Sequence, residues 1–342
     1  MSMLPRIAIY GAGMIGNYLG GRLHAHAHVR FIARPRVAAT LRHHGLTTSD
    51  LRGHRQYVAP DALDVHTDPE AAGDAELVLV TVKSAATTEV ARELSEVLTP
   101  NTPVISFQNG VHNADELRAL LPDHRIVAGM VPFNVTQPEP GHFHQGSSGD
   151  LMAERSACLE PFLHVFAAGE LPIQLRDDIQ AVLWAKLLIN LNNPLNALSG
   201  LPLRDELAQR SWRRCLALLQ REGLQVLKVA GIRPAKLTAL PAHWLPSVLN
   251  LPDALFQRMA ARMLAIDPLA RSSTWEDLQT GRRTEVDYIN GEIVQLAASK
   301  GLRAPANAHI VALIREAERS YVRQDAQALL NALRAALSRR SA

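Results

Sequence analysis

A lysine and four asparagines interrupt an otherwise apolar run at residues 182–200, VLWAKLLINLNNPLNALSG. An ammonium or an amide inside an apolar helix costs free energy unless something pairs with it. At helical spacing Lys186, Asn190 and Asn193 follow the i, i+4, i+7 rule and share one stripe. Leu187, Leu188 and Leu191 serve the neighbouring faces, while Asn192 and Asn196 fall off the stripe and read as structure. Pro194 cannot donate an N–H to the Asn190 carbonyl, so the helix is expected to kink or end there. A partly desolvated lysine titrates closer to neutrality and can deliver or take a proton. The plainer account of the same residues is a snorkelling surface lysine beside packing asparagines. What surrounds the lysine must decide between the two.

The second chemistry-bearing stretch lies near the chain start, in IAIYGAGMIGNYLGGRL. It places Gly11, Gly13 and Gly16 where a first strand passes into a helix. A tight turn at Gly11, close backbone approach at Gly13 and helix–strand contact at Gly16 are what a dinucleotide pyrophosphate requires. The loop from Gly11 through Ala12, Gly13, Met14 and Ile15 to Gly16 then offers helix N-terminal N–H groups to the phosphates. Strand before, helix after and position in the chain all agree with a dinucleotide fingerprint. The second strand ends FIARPR, with Arg34 and no acid. An arginine there suits the 2′-phosphate of NADP, where an NAD site would carry an acid for the ribose hydroxyl. Arg36, close by, has an equally good account as a surface residue.

Two later strand ends point to the same edge. LVTVKS brings Lys83 to a strand terminus, where open α/β sheets bind ligands, although a solvated loop lysine fits as well. ISFQNGVHN brings Gln108, Asn109 and Gly110 to the next one. An uncharged amide there can hold a nicotinamide or a substrate oxygen, and an Asn-Gly turn is the bland alternative. In the second half, RSSTWEDLQTGRRTEVDYINGEIV spans residues 271–294. Ser273 and Glu276 match a capping box, and Glu285, Asp287 and Asn290 open a helix where acids favour the dipole. A carboxylate near Lys186 would hold its ammonium in the charged form. With the dinucleotide fingerprint in the same chain, Lys186 is better read as a proton donor to an oxygen that gains charge in hydride transfer.

These residues need elements to hold them. Up to about residue 175 short β-rich runs (RIAIYGA, VRFIAR, ELVLVTV, TPVISF, RIVAGMVPFNV) alternate with helical segments. Such runs predict a mainly parallel, doubly wound, Rossmann-like sheet covered on both faces. GLTTSDLRGHRQYVAPDALDV suggests an extra hairpin, and GHFHQG with LPIQLR a further short pair. From about residue 177 the periodicity is helical only, in IQAVLWAKLLINLN, WRRCLALLQREGLQVLKVAG, ALFQRMAARMLA, EVDYINGEIVQLAASKG and AHIVALIREAERSYV. The expected organisation is an NADP-binding α/β domain over 1–176 and an all-α substrate domain over 177–342. A cleft between two such domains is a usual ligand location. The apolar face along CLALLQREGLQVL serves either internal packing or a homodimer.

Composition excludes other classes. A chain of 342 residues suits two domains, and 47% hydrophobic residues suffice for their cores. A net charge of +3 is too small and too scattered for a nucleic-acid partner. Cys158 and Cys215 match neither a redox nor a metal spacing, so a reduced, cytoplasmic protein without a metal is expected. MSMLPRIAIYGAG lacks a signal core, and no run of about 18 apolar residues predicts a membrane span.

Taken in order, GAGMIG, the strand-end arginine, VK, QNG, WAKLLIN and SS…D…TEVDYING resemble the ketopantoate reductase (2-dehydropantoate 2-reductase) family over nearly the whole chain. The resemblance implies NADPH-dependent reduction of a 2-oxo acid, 2-dehydropantoate to (R)-pantoate, in pantothenate and coenzyme A biosynthesis. It implies Lys186 as general acid and Glu285 as the acid engaging the substrate hydroxyl region and the lysine. Asn109, Asn190 and Ser273, with Asn193, would hold the substrate; Gly11, Gly13, Gly16, Arg34, Lys83 and Asn109 would bind the dinucleotide. The sequence departs from the family where a second helix asparagine is usual: Pro194 stands there and Asn193 comes one residue early. KSAATTEV lacks the usual glutamine or acid after Lys83, and the segment 234–271 is longer than the family norm. A reductase of another branched 2-oxo acid, or a non-catalytic NADPH sensor of the same fold, are the rival expectations.

Overall fold

Alternation at every second residue decides which layer each strand serves. In a computed structural model that describes residues 4–259 and 270–338, Ile7 and Ile9 of the first strand join one buried cluster, whereas Ala8 and Tyr10 join another on the opposite face. The strands are β1 (Arg6–Tyr10), β2 (His28–Ile32), β3 (Leu46–Asp50), β4 (Arg55–Val58), β5 (Asp64–His66) and β6 (Leu77–Val80). They continue with β7 (Pro103–Ser106), β8 (Arg125–Met130), β9 (Val135–Glu139), β10 (His142–Gln145), β11 (Leu151–Glu154) and β12 (Ile173–Arg176). Eight of them form one sheet in the order β12-β11-β8-β7-β6-β1-β2-β5. All its pairings are parallel except β8 with β11. Between β1 and β6 the winding reverses, the point where open α/β sheets take their ligands at the strands' carboxyl ends.

The helices of this half are α1 (Met14–Leu23), α2 (Pro35–His44), α3 (Thr87–Val97), α4 (Asn113–Leu120) and α5 (Glu160–Ala168). α3 and α4 supply Val90, Leu94 and Leu117 to one face, and α1, α2 and α5 supply Leu19, Leu41 and Phe166 to the other. The hairpin expected after β2 is present as β3 and β4, within a second sheet ordered β4-β3-β10-β9. The expectation that GHFHQG pairs with LPIQLR is wrong. The first is β10, which lies between β3 and β9 in the small sheet, and the second is β12, which pairs with β11 in the large one. Both strands are short and half-polar, so their sequences encode strand character without encoding a partner.

The chain divides into two compact units, Met1–Ile179 and Gln180–Ala342. The second contains α6 (Ile179–Asn190, from its second residue), α7 (Asn192–Ser199), α8 (Leu203–Ala208), α9 (Arg210–Val229), α10 (Leu245–Leu249), α11 (Asp253–Met259), α12 (Ser273–Gln279), α13 (Val286–Ser299), α14 (Pro305–Ala317) and α15 (Ala326–Ser338). α9 is the hub, in contact with α7, α8, α10, α13, α14 and α15. Its apolar face, left open in the sequence between internal packing and a dimer, is covered inside the unit: Trp212, Cys215, Leu216, Leu219, Val226 and Leu227 are buried. Gly223 lets it close on α6, since a Cβ there would stand 3.0 Å from Leu188. ALFQRMAARMLA begins within α11 and then runs outside the described residues. No described helix is long and apolar enough to cross a membrane.

Candidate active site

The glycine loop is built by sterics on two sides and left open on the third. Gly11 has φ +96°, and a Cβ on it would lie 2.4 Å from Val82. A Cβ on Gly16 would meet Thr81 Oγ1 at 2.5 Å and the Gly11 carbonyl at 2.6 Å. Gly13 has no such neighbour: nothing outside its own surroundings comes closer than the Gly11 carbonyl at 3.9 Å. Gly13 is also the N-cap of α1, without a side-chain cap and without an acid in the first helical turn. Free N–H groups beside open space at a helix start suit an anion, so the residues present fit a dinucleotide pyrophosphate. The Gly11 and Ala12 N–H groups both donate to the Ile32 carbonyl, at 3.0 and 3.1 Å. These two hydrogen bonds tie the loop to the end of β2, two residues before the exposed Arg34.

Two residues that sequence reasoning missed lock the loop. Thr81 Oγ1 donates to the Gly11 carbonyl at 2.7 Å, and Asn17 Nδ2 donates to the Ala12 carbonyl at 2.7 Å. Asn17 sits one helical turn after Gly13, and a lone amide among the glycines and apolar residues of that helix start was the available signal.

A polar lattice fixes the ends of β6 and β7. Ser84 Oγ and Asn113 Nδ2 both donate to the Asn109 carbonyl, the former at 2.6 Å. Thr87 Oγ1 donates to Asn113 Oδ1 at 3.0 Å. Gln108 is consumed by this lattice: Nε2 donates to Thr87 at 2.8 Å and Oε1 accepts from Ser106 at 3.0 Å. Its amide is therefore structural, while Asn109 is part-exposed next to Gly110 at φ +98°. Lys83 is half-buried at the start of the turn leading into α3.

In the second unit, α6 ends at Asn190 and α7 begins at Asn192, so the break expected from Pro194 falls at Leu191. Pro194 then occupies the first turn of α7, where its missing N–H has no intrahelical acceptor to lose. Lys186 and Asn190 share the stripe of α6, but Asn193 belongs to the next helix and is half-exposed. Lys186 is half-buried as a residue, and burial pushes its ammonium down to about 8. Asn190 is buried, as is Glu285 at the N-cap position of α13.

The expected capping box does not form, and the helix cap falls one residue earlier. Ser272, not Ser273, caps α12, its Oγ accepting the Trp275 N–H at 3.2 Å. Ser273 is thereby left exposed at the first helical position. Glu276 lies too far along to close a box, and burial pushes its carboxyl up to about 7. Asn290, expected to open α13 like the acids, is instead core: it is fully buried and donates to Asn307 Oδ1 at 2.9 Å.

The profile of the family described as "Ketopantoate reductase PanE/ApbA" matches residues 7–156, and its C-terminal counterpart matches residues 178–318. The chain belongs to the ketopantoate reductase PanE/ApbA family. It is accordingly an oxidoreductase, built as a Rossmann-like unit followed by a helical one. The chain is 28% identical over 256 residues to a 2-dehydropantoate 2-reductase of Caulobacter vibrioides, covering 74% of this chain and 81% of that protein. It is 27% identical over 322 residues to one from Archaeoglobus fulgidus, covering 92% and 98%. Among solved structures it resembles a PanE/ApbA family ketopantoate reductase from Ralstonia eutropha JMP134, with 30% identity, a TM-score of 0.78, and coverage of 92% and 99%.

Proposed function

We propose that the chain reduces 2-dehydropantoate to (R)-pantoate with NADPH, with Lys186 as the general acid, as a step toward pantothenate and coenzyme A. The observation that carries this reading is a single lysine on an apolar helix whose ammonium is brought down to about 8 by burial. A donor near that value is charged at neutral pH yet gives up its proton readily.

Gly11, Ala12, Gly13, Met14, Ile15 and Gly16 would hold the pyrophosphate, Arg34 the 2′-phosphate, and Lys83 and Asn109 further parts of the dinucleotide. When bound, NADPH supplies the hydride that the ketone carbon receives. The protein's part is to meet the charge that develops on the ketone oxygen. Lys186 stabilises that charge as an ammonium and then transfers its proton to the oxygen. Asn190 and Asn193 orient the substrate with neutral amides, and the exposed Ser273 hydroxyl offers a further hydrogen bond. Glu285 engages the substrate hydroxyl and favours the charged form of the lysine.

NADPH oxidation followed against a panel of 2-oxo acids tests the assignment. A kcat/KM for 2-dehydropantoate well above those for other branched 2-oxo acids is expected. A higher value for another acid would move the substrate, and no oxidation with any would leave a dinucleotide-binding protein without this activity.

A further inference from the structure

Behind the proposed substrate residues lies a carboxyl group that the reaction does not use. Glu206 of α8 is fully buried. Its Oε2 accepts from Asn196 Nδ2 at 2.8 Å and from Asn192 Nδ2 at 3.3 Å. Among the described residues its other oxygen, Oε1, has no hydrogen-bond partner, and neither has the buried Oδ1 of Asn192. Two acceptors are thus stranded on the very two groups that Asn192 Nδ2 already joins. A proton on Oε1 would resolve both at once, because a carboxylic acid and a primary amide can exchange two parallel hydrogen bonds.

We infer that Glu206 is held as the neutral acid, donating Oε1–H to Asn192 Oδ1, and that this pair is a positioning device for the turn that carries Asn193. The surroundings agree. Among the described residues the polar groups reaching the carboxyl are the α7 amides, and α9 adds the buried thiol of Cys215. Arg213 of α9 donates to the Leu207 and Ala208 carbonyls beside Glu206 and pairs with Asp253 at 2.6 Å. Asp205 and Arg204 of α8 are exposed. Burial pushes the Glu206 carboxyl up to about 8 against the opposing hydrogen bonds from Asn196 and Asn192.

The pair is wired to both substrate-side elements. Asn192 precedes Asn193, and Asn196 Oδ1 accepts the Ser272 N–H at 2.9 Å, the residue before Ser273. Replacing the neutral acid by its isosteric amide should leave all of this in place, whereas an ionised carboxylate should not be replaceable so cheaply.

Infrared difference spectra of wild type against Glu206→Gln, at pH 6 in deuterated buffer, test the protonation directly. The carbonyl band of a protonated carboxylic acid, lost in the variant, is expected; a carboxylate band in its place, as a water-bridged anion would give, overturns the proposal. Glu206→Gln should keep the wild-type melting temperature at low pH and the wild-type kcat, while Glu206→Leu, which strands both amides, should lose both. Equal damage from Gln and Leu, or failure of the Gln variant to fold, refutes a neutral acid. The sign of the pH effect follows from the raised value: stability from the protonated group is complete below the ordinary 4.5 and is lost as pH rises through about 8. Wild type should therefore fall behind Glu206→Gln across that window, and parallel melting curves would count against the pair. The consequence for kcat rests on the reductase function proposed for Lys186, whereas the infrared and melting readouts are independent of it.

Discussion

The Ser272 hydroxyl donates to the main-chain carbonyl of Asn193 at 2.8 Å, so the cap of α12 is fastened to the first turn of α7. The same oxygen accepts the Trp275 N–H, which makes one side chain both a helix cap and a tie between two helices. Ser272→Ala should lower stability by about 0.5–2 kcal/mol, the range for a lost N-cap, in denaturant titrations. Because Asn193 and Ser273 flank the tie, the variant should also raise KM for the oxo acid. A stability loss with an unchanged KM would show that the tie serves the fold alone.

Lys186→Ala removes the proposed proton donor while leaving the glycine loop of the other unit untouched. NADPH affinity, read from quenching or enhancement of nicotinamide fluorescence, should stay near wild type. Turnover should fall by roughly 10²–10⁴-fold, the usual worth of a general acid, and by more if charge stabilisation is lost with it. Near-normal turnover would remove Lys186 from the mechanism.

The same lysine fixes a pH dependence. A general acid must be protonated to act, and burial brings this ammonium from its ordinary 10.5 to about 8. For the free enzyme, kcat/KM should be level below about 8 and fall about tenfold per pH unit above it. A descending limb near 10.5 instead would place the lysine in water.

Which parts of this were legible in the chain depended on whether the signal was local. The strand-turn-helix around Gly11, Gly13 and Gly16 is a contiguous pattern, and the switch from βα alternation to helices alone is a change of period. The partner of a short strand is not local, so the sequence pattern suggests pairing β10 with β12 although they lie in different sheets. Caps depend on a single residue, and two adjacent serines at 272 and 273 cannot be told apart by spacing. Gln108 and Asn290 look functional by type, but whether an amide is spent on neighbours such as Ser106, Thr87 or Asn307 appears only in three dimensions. Asn192 and Asn196 both donate to Glu206, which carries no sequence signal at all.

The three loop glycines should respond differently to the same methyl group. Gly16→Ala drives a Cβ to within 2.5 Å of Thr81 and 2.6 Å of the Gly11 carbonyl, so it should lower the melting temperature and the yield of folded protein. Gly13→Ala meets nothing nearer than 3.9 Å and should fold normally. Its cost should appear only when a phosphate approaches the backbone, as a weaker NADPH Kd at an unchanged apo melting temperature. Equal dinucleotide affinity in Gly13→Ala and wild type would mean that the open space is not where the pyrophosphate lies.

Arg34 is the residue proposed to decide between the two nicotinamides. It is exposed just past the end of β2, and the Ile32 carbonyl two residues earlier holds both the Gly11 and Ala12 N–H groups. A guanidinium at that place pairs with a 2′-phosphate through two charge-assisted hydrogen bonds, whereas a carboxylate repels it and suits a ribose diol. Arg34→Asp should therefore raise KM for NADPH at least tenfold, about 1.4 kcal/mol, while changing KM for NADH little or lowering it. The comparison belongs at low and at moderate salt, since screening weakens an exposed pair and should narrow the wild-type preference as ionic strength rises. If the ratio of kcat/KM for NADPH over NADH is the same in variant and wild type, the 2′-phosphate is read elsewhere, and Arg36 becomes the residue to replace.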